Sequence, residues 1–185
     1  MRAQWPKTVE NIPVRNLVFL DESSANTCLA RLWGWWRKGE RLRSFIPCGR
    51  WHTTTMVCAI RSEGVFAPLI IDGAMDGEAF LAYVEQVLIP ALRPGDVVVM
   101  DNLSTHKTGK VIEAFKRHNV EVLFLPPYSP DLNPIENMWS KVKSAIKRQA
   151  RRTLNSLMYA MAEALETVTE GDCLGYFNNA GYQVS

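Results

Sequence analysis

Strands announce themselves in this chain as short runs that are apolar at every position. Residues 17–20 (Leu-Val-Phe-Leu) and 97–100 (Val-Val-Val-Met) are two such runs, and each is followed directly by an aspartate, Asp21 and Asp101. Continuous apolar runs suit strands covered on both faces, whereas a half-exposed strand alternates. Residues 53–60 and 65–71 are rich in β-branched and apolar residues and flank the turn-like Arg61-Ser62-Glu63-Gly64, which predicts a hairpin. Between about 77 and 92, Phe80, Leu81, Val84, Val87 and Leu88 fall at helical spacing. A turn at Pro94-Gly95-Asp96 separates that helix from the 97–100 strand. Further on, the pattern predicts a helix over 108–118, a strand over 120–125, a stiff loop over 126–134, and helices over 134–150 and 154–168.

Strands followed by alternating helices and strands predict an α/β fold, a mixed sheet flanked by helices on both faces. Ligands and chemistry in such sheets gather beyond the carboxyl ends of the strands. Asp21 and Asp101 are both expected there, at the ends of their strands. Either one alone is accounted for by strand closure, since aspartate commonly bonds the backbone of the next turn. Two of them on neighbouring strands are different. Both ionise only beside a compensating cation, and a divalent metal is the natural one for paired oxygens.

The 126–134 loop leads to a third carboxylate. Asn133 and Pro134 suit the cap and first turn of a helix whose apolar stripe is Ile135, Met138, Trp139, Val142 and Ile146. Glu136 stands three residues past Asn133, so two readings are open: it closes a capping box, or it points at the strand ends as a third ligand. The stripe places it where the helix meets the sheet rather than in solvent.

Composition narrows the picture without supplying chemistry. The 185 residues, 47% hydrophobic and 22% charged, suit a single globular domain over 1–185. No apolar run is long enough for a membrane helix, and the first ten residues lack a signal-peptide core, so no membrane partner and an intracellular, cytoplasmic location are expected. Cys28, Cys48, Cys58 and Cys173 lack the close spacing of a zinc knuckle and read as reduced, mostly buried thiols. The net charge of +2 decides little, but its distribution does. Six basic residues and no acid lie between Lys141 and Arg152, including Lys143, Lys147 and Arg148. Seven basic residues against Glu40 alone lie between Arg31 and Arg61, among them Arg37, Lys38 and Arg41, interleaved with Trp33, Trp35, Trp36 and Trp51. Such interleaving suits phosphate contacts and base stacking, although core packing accounts for a tryptophan taken singly. Acids concentrate in 163–172, expected on the far face.

Four stretches together resemble the catalytic domain of DDE transposases of the mariner and bacterial insertion-sequence superfamily. They are Val18-Phe-Leu-Asp21-Glu-Ser, Gly34-Trp35-Trp-Arg37-Lys-Gly39, Val99-Met-Asp101-Asn102-Leu-Ser-Thr-His106, and residues 125–139 with their Pro-Tyr-Ser-Pro-Asp-Leu-Asn-Pro-Ile-Glu run. The resemblance implies a ribonuclease H-like fold with Asp21, Asp101 and Glu136 as catalytic, metal-binding triad, 34 residues separating the last two. It further implies two Mg²⁺ ions, with Mn²⁺ as substitute, acting in phosphodiester cleavage and strand transfer on double-stranded DNA at transposon ends and target. Asn102, His106 and Asn137 are expected around the triad, Asn137 leaning to solvent. Glu22 has two readings, an aid to Asp21 or, the favoured one, a surface residue, and Asp72, Asp76 and Asp131 read as turn residues. Members of the superfamily carry a helix-turn-helix module ahead of this domain; none fits before Asp21, so a separate reading frame or a fragment is expected. A homodimer and a separate N-terminal DNA-binding polypeptide are the protein partners this implies. Two alternatives have sequence arguments. An inert, transposase-derived DNA- or partner-binding protein is disfavoured by three intact acids. A phosphohydrolase with Asp21 as nucleophile is disfavoured by Ser23, where a second aspartate is wanted.

Overall fold

The computed structural model describes residues 2–30, 34–43, 52–103 and 105–183. Arg31, Trp33, Cys48 and Trp51 lie outside them. A short helix α1 (Trp5–Val9) precedes β1 (Leu17–Asn26), β2 (Thr53–Arg61) and β3 (Gly64–Asp72). Then come α2 (Gly77–Tyr83), a π-helical turn (Val84–Leu88) and α3 (Ile89–Ala91). The widened turn precedes Pro90, which has no N–H to give and whose ring clashes with the carbonyl four residues earlier. β4 (Val97–Met100), α4 (Gly109–Arg117), β5 (Glu121–Phe124), α5 (Pro134–Gln149), α6 (Leu154–Glu166) and α7 (Glu170–Asn179) follow.

The five strands form one sheet in the order β3-β2-β1-β4-β5. β1, β2 and β3 form an antiparallel meander, while β4 and β5 run parallel to β1. One face carries Phe19, Cys58 and Val99 against α5, α6 and α7. The other carries Val18, Leu20, Val98 and Met100 against Phe80, Tyr83 and Phe115 of α2 and α4. The mixed sheet with both faces covered is the arrangement the apolar runs predict.

Two differences from the sequence expectation have physical causes. β1 does not stop at Asp21: it continues to Asn26 because β2 pairs with it as far as Asn26↔Thr53, although β4 ends at Met100. Asp21 is therefore mid-strand, at the point where β1 outruns its parallel neighbour. Second, the chain does not end with the 154–168 helix. α7 begins at Thr169, whose hydroxyl accepts from the Asp172 N–H in a capping box, and it buries Cys173 and Phe177. Of the acids in 163–172, Asp172 meets Lys141 of α5 at 2.5 Å, and Glu163, Glu166 and Glu170 are exposed.

α7 closes the core on the α5 side. The Phe177 ring stands edge-on to Phe19, centroids 5.4 Å apart, and Tyr182 packs on Phe19 at 5.0 Å. The Tyr182 hydroxyl accepts from the Trp5 indole and donates to the Leu132 carbonyl, both at 2.8 Å, tying both ends of the chain to the loop before α5. Phe177→Ala is expected to cost about 3–5 kcal/mol, the range for emptying a buried aromatic site. Urea unfolding should show it as a lower midpoint at unchanged slope.

Candidate active site

Strand register sets the site. Phe19 pairs with Val99, so Asp21 and Asp101, each two residues further on, leave the shared ladder at the same level. Neighbouring strands are about 4.8 Å apart, which brings the two carboxylates together as expected. Glu136, in the first turn of α5, adds its charge, and both Glu136 and Asp101 act electrostatically on Asp21. The three acids singled out in the sequence thus share one electrostatic site.

Asp21 lies on the α5 face of the sheet. Its Oδ1 accepts from the Glu22 N–H at 2.8 Å and its Oδ2 from the Trp139 indole N–H at 3.2 Å. Burial pushes its pKa up to about 7, opposed by the Glu22 N–H and reinforced by the charges of Glu136 and Asp101. Trp139 stands one turn past Glu136, so the two flank Asp21 from one helix. The sequence stripe assigned Trp139 to the core, where it is; the usable signal was that a buried indole N–H needs an acceptor.

Asp101 is half-buried and held differently. Its Oδ1 accepts from the Leu103 N–H at 3.0 Å and meets His106 Nδ1 at 2.7 Å. His106 is fully buried, stacks on Phe80 with centroids 4.4 Å apart, and presents Nε2 to Glu22 Oε1 at 3.2 Å. Burial disfavours a charged imidazole, but bonds to Asp101 and Glu22 outweigh it and push the His106 pKa up to about 9. Burial likewise works against the Asp101 carboxylate, yet the His106 bond and the Leu103 N–H hold its pKa below the ordinary value. With both nitrogens engaged, His106 has none left for a metal.

Several expectations need correction here. Glu22 is not a surface residue; it reaches His106 on the opposite face of the sheet from Asp21. The capping box is not formed: Asn133 makes no side-chain cap bond, and its Oδ1 is buried without a partner among the described residues. Glu136 is exposed rather than sheltered at the helix–sheet junction. Asn137 does not face solvent alone, since its Oδ1 accepts from Asn179 of α7 at 3.4 Å. Asn102 is exposed beside Asp101. Asp76 caps α2 through the Glu78 and Ala79 N–H groups, and Asp131 pairs with Arg2. Among the described residues, no three His, Cys, Asp or Glu side chains converge tightly enough to enclose a metal ion as they stand. Asp101 is drawn to His106 and Asp21 to Trp139. Just ahead of α5, Tyr128 is fully exposed with φ at +54° between Pro127 and Pro130, a costly backbone for a bulky residue.

The basic residues divide by helix face. Lys143 and Lys147 lie seven and eleven residues past Glu136, on the same side of α5 at 100° per residue. Arg148, seven residues past Lys141 and so on that residue's side of the helix, is exposed in the last turn. Lys141, five residues past Glu136, faces away, bonding the Thr167 carbonyl at 2.9 Å and Asp172. Lys141, whose bonds hold the Asp172 pKa down to about 2, is therefore a link between α5 and α7. Arg37, Lys38 and Arg41 are exposed beside the fully exposed Trp35 and the half-exposed Trp36, whose indole donates to Glu40 at 3.0 Å.

A partly buried aspartate where β1 outruns β4, with Asp101 just past β4 and Glu136 on α5 acting on its charge, defines an acidic α/β site. Solved structures of the same fold include the mariner Mos1 paired-end complex with Mg (TM-score 0.74, 14% identity, covering 96% of this chain and 56% of that one). The Mos1 catalytic domain alone matches with a TM-score of 0.67 at 15% identity, over 96% of this chain and 81% of that one. This is the ribonuclease H-like architecture of that domain. In sequence, the Tcb2 transposase of Caenorhabditis briggsae is 32% identical over 143 residues, 71% of this chain and 52% of that protein. The Tcb1 transposase of the same organism is 34% identical over 99 residues, 51% of this chain and 36% of that protein. The chain thus spans about half or less of these relatives. The DDE superfamily endonuclease profile matches residues 16–157, and the chain belongs to that family.

The two upward-shifted groups, Asp21 and His106, make stability pH-dependent with the same sign. Asp21 has a folded pKa above its unfolded 3.8, so ionising it opposes folding between about pH 4 and 7. His106 stabilises fully below its unfolded 6.5 and loses that contribution as pH rises through about 9. In chelator, the urea midpoint is expected to fall from pH 5 to pH 7.5, and Asp21→Asn to remove most of that decline; equal declines in both proteins would refute the assignment.

Proposed function

We propose that this chain is a transposase catalytic domain that cleaves DNA phosphodiesters at transposon ends and transfers the freed strand to target DNA. The observation that carries the reading is the electrostatic imbalance at Asp21, a partly buried carboxylate beside two others with only neutral donors of its own. An all-oxygen set of this kind fits a hard divalent cation, Mg²⁺ or Mn²⁺. Asp21, Asp101 and Glu136 are the residues that hold it, two ions per site. Such ions supply charge stabilisation at the attacking and leaving oxygens of an in-line displacement. The family relationship and the Mos1 complexes, which contain Mg or Mn and DNA ends, support the same reading.

The protein's own contribution is placement. Trp139 fixes Asp21, the Leu103 N–H and His106 fix Asp101, and α5 presents Glu136 with Lys143 and Lys147 on one side. Those lysines lie about 10 and 16 Å along the helix from Glu136, a basic track leading away from the acids. Arg148 and, on the β1–β2 connection, Arg37, Lys38 and Arg41 extend the basic surface toward double-stranded DNA. Two copies of the chain bring the two ends together, and recognition of the end sequence comes from a DNA-reading segment, including one supplied by a separate N-terminal polypeptide. Among the described residues no helix is long and apolar enough to cross a membrane.

Cleavage of supercoiled DNA in Mg²⁺ or Mn²⁺ tests the reading. Asp21→Ala, Asp101→Ala and Glu136→Ala should each lower the rate by about a thousandfold or more, the equivalent of several kcal/mol of transition-state stabilisation. DNA affinity should stay within about threefold. A folded wild type that binds DNA and never cuts it would point instead to an inert descendant.

The basic track is tested by salt dependence. Replacing Lys143, Lys147 and Arg148 by Gln should reduce the slope of log K against log salt by about 0.9 for each phosphate no longer neutralised. Lys141→Gln should leave the slope unchanged. Equal effects at all four positions would place the DNA elsewhere.

A further inference from the structure

Consecutive residues of a strand point to opposite faces of the sheet, so β1 sends the carboxylate of Asp21 toward α5 and that of Glu22 toward α2 and α4. On that second face Glu22 meets His106, which is buried and stacked on Phe80, and His106 in turn meets Asp101. The three residues form a brace running from β1 through the β4–α4 connection and back to the end of β4. Glu22 and His106 are 84 residues apart in sequence, and the brace is the side-chain bond that joins β1 to this connection.

We propose that Glu22 is a positioning residue: by holding His106 Nε2 it fixes the imidazole that orients Asp101, so that one strand places both aspartates, Asp21 directly and Asp101 through Glu22 and His106. The inference rests on the reading of Asp101 as a metal-holding catalytic residue. Three features support it. Phe80 fixes the plane of the ring, leaving Glu22 and Asp101 to set its rotation within that plane. The Nδ1 contact engages Oδ1 of Asp101 and the Leu103 N–H bonds the same oxygen, so Oδ2 is left for the site. Glu22 is largely buried, with a side chain 22% exposed, as suits a residue working inside the fold rather than on DNA.

Two substitutions separate position from charge. Glu22→Asp keeps the charge but withdraws the oxygens by about 1.5 Å, beyond hydrogen-bond reach of Nε2. Glu22→Gln loses the charge but offers Nε2 an amide oxygen or N–H at the original reach. Positioning predicts that Gln retains at least a third of the single-turnover cleavage rate at saturating DNA. Asp loses about tenfold, with DNA affinity within twofold in both. In the metal-free protein, ¹⁵N-histidine spectra should show His106 ring N–H protons protected from exchange in the wild type and Glu22→Gln, and the Nε2 proton lost in Glu22→Asp. Mn²⁺ affinity, measured by calorimetry, should weaken at least fivefold in Glu22→Asp and less than threefold in Glu22→Gln.

The reverse order, Asp active and Gln inactive, overturns the proposal and makes Glu22 a direct ligand or a through-space charge. Unchanged ring protons in Glu22→Asp overturn it as well. If the wild type cuts no DNA, the functional reading fails, while the ring spectra and Mn²⁺ affinities still decide the positioning claim.

Discussion

The site depends on the parallel register of β1 and β4. With Phe19 opposite Val99, the register brings Asp21 and Asp101 to the same level, Asp101 one residue past the end of β4. Two carboxylates at strand spacing repel, and the fold answers by treating them unequally. Asp21 is partly buried and receives only neutral donors, so its charged form stays costly. Asp101 sits at the rim and receives a backbone N–H and a histidine, so its charged form is favoured. Environments that push two acids in opposite directions are the usual mark of a chemical site rather than of a structural pair.

The same register explains what the sequence revealed and what it concealed. The all-apolar runs 17–20 and 97–100 marked two central strands, and the aspartates after them marked the site, because a strand buried on both faces has no other way to be written. The extension of β1 through Glu22-Ser23-Ser24 was hidden, since polar residues there suggest a turn. β2 overrides that preference by pairing with the strand from Phe19 through Asn26, and Ser23 is buried. Glu22 looked like surface for the same reason. Its partner His106 lies far along the chain, and no local pattern reports a contact of that range.

The helices after β5 show the complementary case. The stripe of α5 was legible to the residue, yet the local rule that Asn133 and Glu136 form a capping box failed, leaving the Glu136 side chain unused by the helix. α7 carried a readable capping signal in Thr169 and Asp172, obscured by Gly171, Gly175 and its acidic start; packing of Phe177 on Phe19 supplies what helix propensity does not. Basic residues counted along α5 looked equivalent. At 100° per residue they are not, and the turn that puts Lys143 and Lys147 beside Glu136 carries Lys141 round to Asp172.

On the proposed reading, the unequal treatment of the two aspartates also ties cation binding to pH. Below about pH 7 a cation entering beside Asp21 must displace its proton, so binding and proton release are coupled; above that the carboxylate is already ionised. His106 carries a proton on both ring nitrogens up to about pH 9, facing Asp101 and Glu22; the neutral ring formed above that keeps one N–H and so one of the two bonds. Weaker burial of Asp21 would lower its pKa and ease its ionisation, and would also weaken the attraction of its carboxylate for a cation.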